Sequence, residues 1–376
     1  MLADPRTFPT PDAADARSRS LHALASRALD APIGTIADAL ERDIAHAVET
    51  LIDDGDGASL SGLLASSPSS AVYRHLWRAI VAAVERPPAA PPAPVLFALP
   101  VIVVAASDDA DEHAVDAIVD NPGELAAILV EHGALGGHRQ VALAGALCAA
   151  DAIDVGAMPA LLRAIASADT FAPLDVAPAP LAAAPGGERV HLRFLVGSAL
   201  AASSAALVGD ARVGAWGVPL ARALSLRLAR RGASIVALPR APQSPPAAIA
   251  TGRAVRREAG ATLFASNAVR RLRASIGEPV AVISAHRAAG APLGGELRLS
   301  LSSPFEPRDA EGFRCPLDAL DRVADVAAML AEVARDCRIA DVRVLSGVHA
   351  DRDAATGLTL MFKPDTVPPG ADIAAH

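Results

Sequence analysis

The chain has 376 residues, 52% of them apolar, which is more than one ordinary core serves and leads to an expectation of two or three folded units. Of its 34 basic side chains all but Lys363 are arginine, and Lys363 sits between Phe362 and Pro364. That context excludes a phosphate-cradling G-x-x-x-x-G-K-[ST] loop, Schiff-base catalysis, a kinase-type strand lysine and an S-x-x-K nucleophile pair. Alanine is abundant and tyrosine occurs once, a GC-rich coding bias, so the arginine excess is not all arginine chemistry.

A mean hydropathy of +0.33 owes much to alanine. The best apolar run, Ala93 to Ala106, is too short to span a bilayer and contains Pro94 and Pro100, so no membrane partner is expected. The opening residues lack a basic start followed by an apolar stretch, and residues 1–20 read as a flexible tail of a cytoplasmic protein. Cys148, Cys315 and Cys337 are odd in number and far apart, which argues against a disulfide framework or a cysteine-rich zinc site.

In chain order, residues 21–86 read as helical. Thr35 to Asp53 carries Ile36, Leu40, Ile44, Val48 and Leu51 on one stripe, and Ser69 caps a helix running to Glu85. The proline-rich run Pro87 to Pro94 separates this from an α/β region, 95–171. There the pattern predicts a strand at Val95 to Ala105, then helices near Glu112 to His132, Arg139 to Ala150 and Met158 to Ala168. HGALGGH follows a helix, so its glycines read as a cap and turn, not as a dinucleotide fingerprint. Residues 172–188, again rich in proline, read as a linker.

Residues 189–365 form the expected arginine-rich domain. Strand Val190 to Val196 and helix Val218 to Arg231 are followed by strand Ser234 to Leu238, helical segments Ala247 to Ala259 and Ser266 to Ile276, and strand Pro279 to His286. Strand Glu296 to Ser302, helix Pro316 to Cys337, strand Asp341 to Ser346 and a hairpin strand at Leu358 to Phe362 complete it. Between 234 and 346 the order is βαββαβ, the signature of a ferredoxin-like sandwich. The fold class is therefore α/β (α+β), a helical N-terminal region followed by mixed α/β. In Glu296 to Ser302 strict alternation turns Leu297, Leu299 and Leu301 inward and Arg298 outward, so that Arg298, Arg343 and Lys363 share an open polar face.

Charge is segregated. Met1 to Glu188 has ten arginines against twenty-five carboxylates, Arg189 to Arg287 has fifteen against three, and the remainder has nine basic against fourteen acidic residues. The central block, net +12, suits an anionic small molecule, an acidic protein surface or a nucleic acid. The bland alternatives are solvated helix faces or docking of the acidic half on the basic block. The candidate ligand-binding set is Arg253, Arg256, Arg257, Arg270, Arg271, Arg298 and Arg343, several of them brought to one helix face by spacings of three and four. Aromatic stacking of bases is not expected, since the strands offer only Phe362, which parity turns inward.

Two further readings compete. His286, His349, Asp351 and Asp353 are of the right types for a divalent metal enzyme, though ADRDAATG is also what a hairpin loop wants and Arg352 lies between the carboxylates. Cys315 before Pro316 would be a reactive thiolate if it opened a helix, but Asp318 and Asp321 oppose a thiolate, and a buried structural thiol is favoured. An interaction scaffold pairing its open sheet face in a homodimer is the third reading. The leading expectation is a non-catalytic protein binding an anionic ligand or acidic surface.

Overall fold

The computed structural model describes every residue except 1–3, 7, 9–14, 88–91, 108–112, 137–139, 168–172, 184–187, 204–206, 208–211, 230–232, 276, 288–294, 303–310, 350–372 and 376, with the backbone alone for 113, 167, 349 and 373–375. The chain is mixed α/β and divides into two compact units. The N-terminal unit is Thr10–Arg256, and the C-terminal unit is Arg257–His376 together with Met1–Pro9. The division falls inside one long helix, not within the proline-rich stretch 172–188.

The N-terminal unit opens with α1 (Ala16–Asp30), α2 (Thr35–Asp53), α3 (Gly57–Ala65) and α4 (Ser70–Val84). Asp15, Asp56 and Ser69 cap α1, α3 and α4 by accepting from the N–H groups of Ser18, Ser59 and Val72. The expected stripe of α2 is buried at Leu40, Ile44, Val48 and Leu51, while Ile36 is exposed.

Four antiparallel strands follow in the order β3-β5-β1-β6, with β1 Ala93–Ser107, β3 Val141–Cys148, β5 Arg189–Ala201 and β6 Ala233–Pro239. Strand β1 is central and covered on both faces, which is why its sequence is continuously apolar instead of alternating. On one face α5 (Pro122–Glu131) and α7 (Val213–Leu228) pack through Leu125, Leu129, Trp216, Leu220 and Leu224. On the other lie α6 (Met158–Ser167) and the start of α8 (Pro245–Ser275), through Ile165, Ala248 and Ile249. Gly252 sits where α8 crosses the sheet, since a Cβ there would meet Leu192 Cδ1 at 2.8 Å and Pro100 Cβ at 3.1 Å.

A two-stranded ribbon, β2 (His113–Val115) with β4 (Leu181–Ala183), completes this unit. The ribbon and β3 correct two expectations: within the first expected helix, Glu112 to His132, His113–Val115 is a short strand ahead of α5, and within the second, Arg139 to Ala150, Val141–Cys148 is a strand. Alanine-rich apolar runs carry little intrinsic preference, and a place beside β5 decides for strand.

The C-terminal unit has a five-stranded sheet in the order β11-β10-β7-β8-β9, with β7 Val280–Arg287, β8 Gly295–Ser302, β9 Glu311–Pro316, β10 Asp341–His349 and β11 Ile373–Ala375. Strands β7 and β10 are parallel, and the other pairings are antiparallel. One face is covered by the second part of α8, through Ala261, Ala265, Ala268, Val269 and Leu272, and by α9 (Val323–Asp336), through Val326, Leu330 and Ala334. Leu297, Leu299 and Leu301 are buried against them as the alternation requires.

Segment 234–346 differs from the expected βαββαβ order. Strand β6 pairs with β1 in the N-terminal unit, and the two expected helices before β7 are one continuous α8. An extra strand, β9, occupies the stretch expected to lead directly into a helix. The order here is α-β-β-β-α-β, a three-strand meander whose first strand then takes β10 beside it in parallel.

Arg298 corrects a second expectation. It is 1% exposed, and Ser284, His286, Glu296 and Ser300 on the same sheet face are also buried, so the face is polar but not open at β7 and β8. Arg298 Nε donates to Glu296 Oε1 at 2.5 Å, two residues back on the same face of an extended strand. Losing that carboxylate removes a charge-assisted hydrogen bond from a buried guanidinium. Glu296→Ala should therefore lower stability by ~3 kcal/mol, with most of it regained when Glu296→Leu is combined with Arg298→Met. Urea unfolding checks this, and a loss below about 1 kcal/mol, the level of a surface pair, would show the pair to be hydrated in solution.

Candidate anion-binding site

Several arginines of the C-terminal unit are neutralised from nearby in the fold. Arg257 donates to both carboxylate oxygens of Asp321 at 2.9 and 2.6 Å, Arg271 pairs with Glu311, Arg273 with Glu278 at 2.9 Å, and Arg343 with Asp341 at 2.5 Å. With Arg298 on Glu296, four of the seven arginines singled out from sequence (Arg257, Arg271, Arg298 and Arg343) already hold a carboxylate of their own unit. Of the rest, Arg270 donates to Asn267 Oδ1 at 3.0 Å. Arg253 and Arg256 belong to the N-terminal unit, and Arg257, Arg270, Arg271, Arg298 and Arg343 to the other. Inside the N-terminal unit Arg227 likewise pairs with Glu124.

A second group of basic side chains, on β5 and the facing part of α8, is held mainly by main-chain oxygens. The register of β5 with β3 ends at Cys148 opposite Phe194, so Arg189 to Arg193 run on past that neighbour. An extended strand puts Arg189, His191 and Arg193 on one face. Arg193 is held by main-chain oxygens: Nε donates to Ala179 at 2.8 Å, Nη1 to Leu192 at 2.8 Å, and Nη2 to Pro180. Since a carbonyl can only accept, His191 Nε2 carries the proton and donates to Ala182 at 2.8 Å. From α8, Arg256 Nε reaches the oxygen of Val190 at 3.5 Å. Among the described residues no salt bridge joins His191, Arg193 or Arg256 to a carboxylate, and their fixed partners are dipoles.

These groups feel one another. Burial lowers the His191 pKa, and the positive charges of Arg193, Arg256 and Arg189 push it further down, against the hydrogen bond to Ala182. Arg193 is also lowered, first by burial and then by Arg256, with Asp151 opposing more weakly. Half-buried cations that repel one another and are oriented by neutral oxygens form a field that an anion would relieve. The sequence signals carry only part of this: Arg256 belongs to the expected set, whereas Arg189, His191 and Arg193 lie outside it. The available signal was R-V-H-L-R, three basic side chains at a period of two on a strand that starts the basic block.

The other candidates fall out differently. Backbone register sets His349 opposite His286, while Asp351, Asp353 and Lys363 lie outside the described residues. Among the described residues no group of three or more histidine, cysteine, aspartate or glutamate side chains is placed to hold a metal ion. His286 is wholly buried, its Nε2 2.8 Å from Ser284 Oγ. Cys315 opens no helix: it lies on β9 in the core, α9 beginning only at Val323, and burial raises its thiol pKa to about 12. Cys148 is raised to about 12 by burial too. No helix among the described residues is long and apolar enough to cross a membrane. Comparison with known proteins finds no matching family model, curated protein or solved structure.

Because the His191 pKa in the folded state lies below the ordinary 6.5, the folded protein takes up its proton later than the unfolded chain as pH falls. Stability is therefore lost as pH drops below about 6.5 toward the folded value, and is fully present above it. His191→Gln should flatten the acid side of the stability curve between about pH 7 and 5. Urea midpoints across that range check it, and identical curves for variant and wild type would show His191 to be unperturbed.

Proposed function

We propose that this protein binds an anionic ligand carrying a phosphate or carboxylate group at Arg189, His191, Arg193 and Arg256, and that it acts by binding and not by catalysis. The observation that carries the reading is the contrast within one arginine-rich sequence. Arg257, Arg271, Arg298 and Arg343 are each closed by a carboxylate of their own unit; Arg193 and Arg256 are instead held by main-chain carbonyls, with no salt bridge to a carboxylate among the described residues.

The chemistry follows from the donors. Arg193 is fixed by three oxygens, so little side-chain entropy remains to be lost on binding. Arg256, held only at Nε by the oxygen of Val190, has guanidinium N–H groups to deliver charge-assisted hydrogen bonds to an oxyanion, and Arg189 adds positive charge beside it. His191, with Nε2 committed to Ala182, offers Nδ1 as a further donor once protonated, and an anion that stabilises the imidazolium draws a proton in with it.

Titration calorimetry with inorganic phosphate and with citrate tests the reading. Arg189→Gln combined with Arg256→Gln should weaken binding by roughly tenfold to a hundredfold, as loss of charge-assisted hydrogen bonds does, while the melting temperature stays within a few degrees of wild type. The wild-type affinity should fall with added salt. Unchanged affinity in the double variant, or no binding of either anion by the wild type, would refute the assignment.

A further inference from the structure

The first nine residues belong to the C-terminal unit, although the whole N-terminal unit separates them from it in sequence. Their seat is specific. Arg6 has a side chain 2% exposed, and its Nη1 donates to the carbonyl oxygen of Asp318 at 2.5 Å in the connection between β9 and α9. Its Nε and Nη2 donate to Asp4 at 2.8 and 2.6 Å. Pro5 between them is buried. Proline fixes its own φ and keeps the residue before it extended, so Asp-Pro-Arg is set in advance to hold carboxylate and guanidinium together.

The receiving surface fits this segment closely. Gly295 opens β8, and a Cβ there would lie 2.7 Å from Arg6 Cγ, 3.0 Å from Arg6 N and 3.1 Å from Arg6 Cα, two of these being main-chain atoms that cannot swing aside. The carbonyl of Asp318 is held in turn by its own residue: Asp318 N–H donates to Asp321 Oδ2 at 2.6 Å, and Asp321 takes both hydrogen bonds from Arg257 on α8. A rigid network thus presents one carbonyl to one arginine. Arg6 also lies over the Phe8 ring, 5.8 Å from its centroid.

We propose that Gly295 and the carbonyl of Asp318 form a peptide-docking seat for an extended carboxylate-proline-arginine segment, and that its occupant is this chain's own N-terminus. The seat reads a guanidinium by its fork of donors and reads an extended backbone by the missing side chain at 295. The N-terminus is therefore a clasp and not the free tail that its composition suggests. A segment of the same chemistry presented in trans competes for the same place.

Two measurements on the full chain test this. Trypsin cleavage after Arg6 should be slow in wild type and at least roughly tenfold faster in Gly295→Val, whose side chain occupies the space of the Arg6 backbone, because cleavage then follows a segment already released. Second, Arg6→Glu frees the seat without altering it, so this variant should take up a labelled synthetic peptide of sequence MLADPRTFP, whereas wild type, with its seat filled, and Gly295→Val should not. If Gly295→Val melts far below wild type, peptide uptake by Arg6→Glu against wild type decides alone. Equal cleavage in wild type and a folded Gly295→Val overturns the proposal. So does failure of Arg6→Glu to bind the peptide.

Discussion

The bidentate pair between Arg257 and Asp321 is the constraint on which the C-terminal unit turns. It ties α8 to the connection before α9, and Asp321 in the same act accepts the N–H of Asp318, whose carbonyl receives Arg6. A guanidinium with five donors and a carboxylate with four acceptor sites can close such a junction with neither left short. Three segments far apart in sequence meet there, so the pair specifies connectivity more than it adds stability. A well-packed apolar substitute would hold the same elements about as strongly but would not fix which carbonyl faces Arg6.

The same economy recurs along extended chain. Asp4 with Arg6, Glu296 with Arg298, and Asp341 with Arg343 are each a carboxylate two residues before an arginine. Extended backbone puts such neighbours side by side, so each strand neutralises its own cation without help from another element. Arg189, His191 and Arg193 follow the same period of two on β5 with no acidic residue interleaved on that face.

Much of this was legible in the sequence, and the failures have identifiable physical causes. The α2 stripe, the Ser69 cap and the inward Leu297, Leu299 and Leu301 follow from periodicity and capping chemistry, which are local. Strand β6 has sound local alternation, yet its partner is β1, over a hundred residues earlier, and nothing in the strand itself names that partner. Strand β3 is an alanine-rich run whose state is settled by its neighbours. Arg298 is expected outside because alternation sets it opposite Leu297 and Leu299; that holds, but the opposite face is buried as well, and Arg298 is paired there with Glu296 two residues away. The β5 cluster repeats every two residues, so helical spacing does not find it; on α7 and α8, where arginines do stand at helical spacing, Arg227, Arg257, Arg271 and Arg273 hold carboxylates.

The central claim is the proposal that His191, Arg193 and Arg256, held by main-chain oxygens, receive an anion. The most direct measurement is the protonation midpoint of the His191 ring, followed by NMR with and without inorganic phosphate. In the free protein burial and the neighbouring arginines hold it below 6.5. Saturating phosphate should raise it by about one unit, the equivalent of about 1.4 kcal/mol of favourable interaction with the imidazolium. A midpoint that stays where it was at every phosphate concentration would mean that no anion enters beside His191, and the proposed site would be wrong.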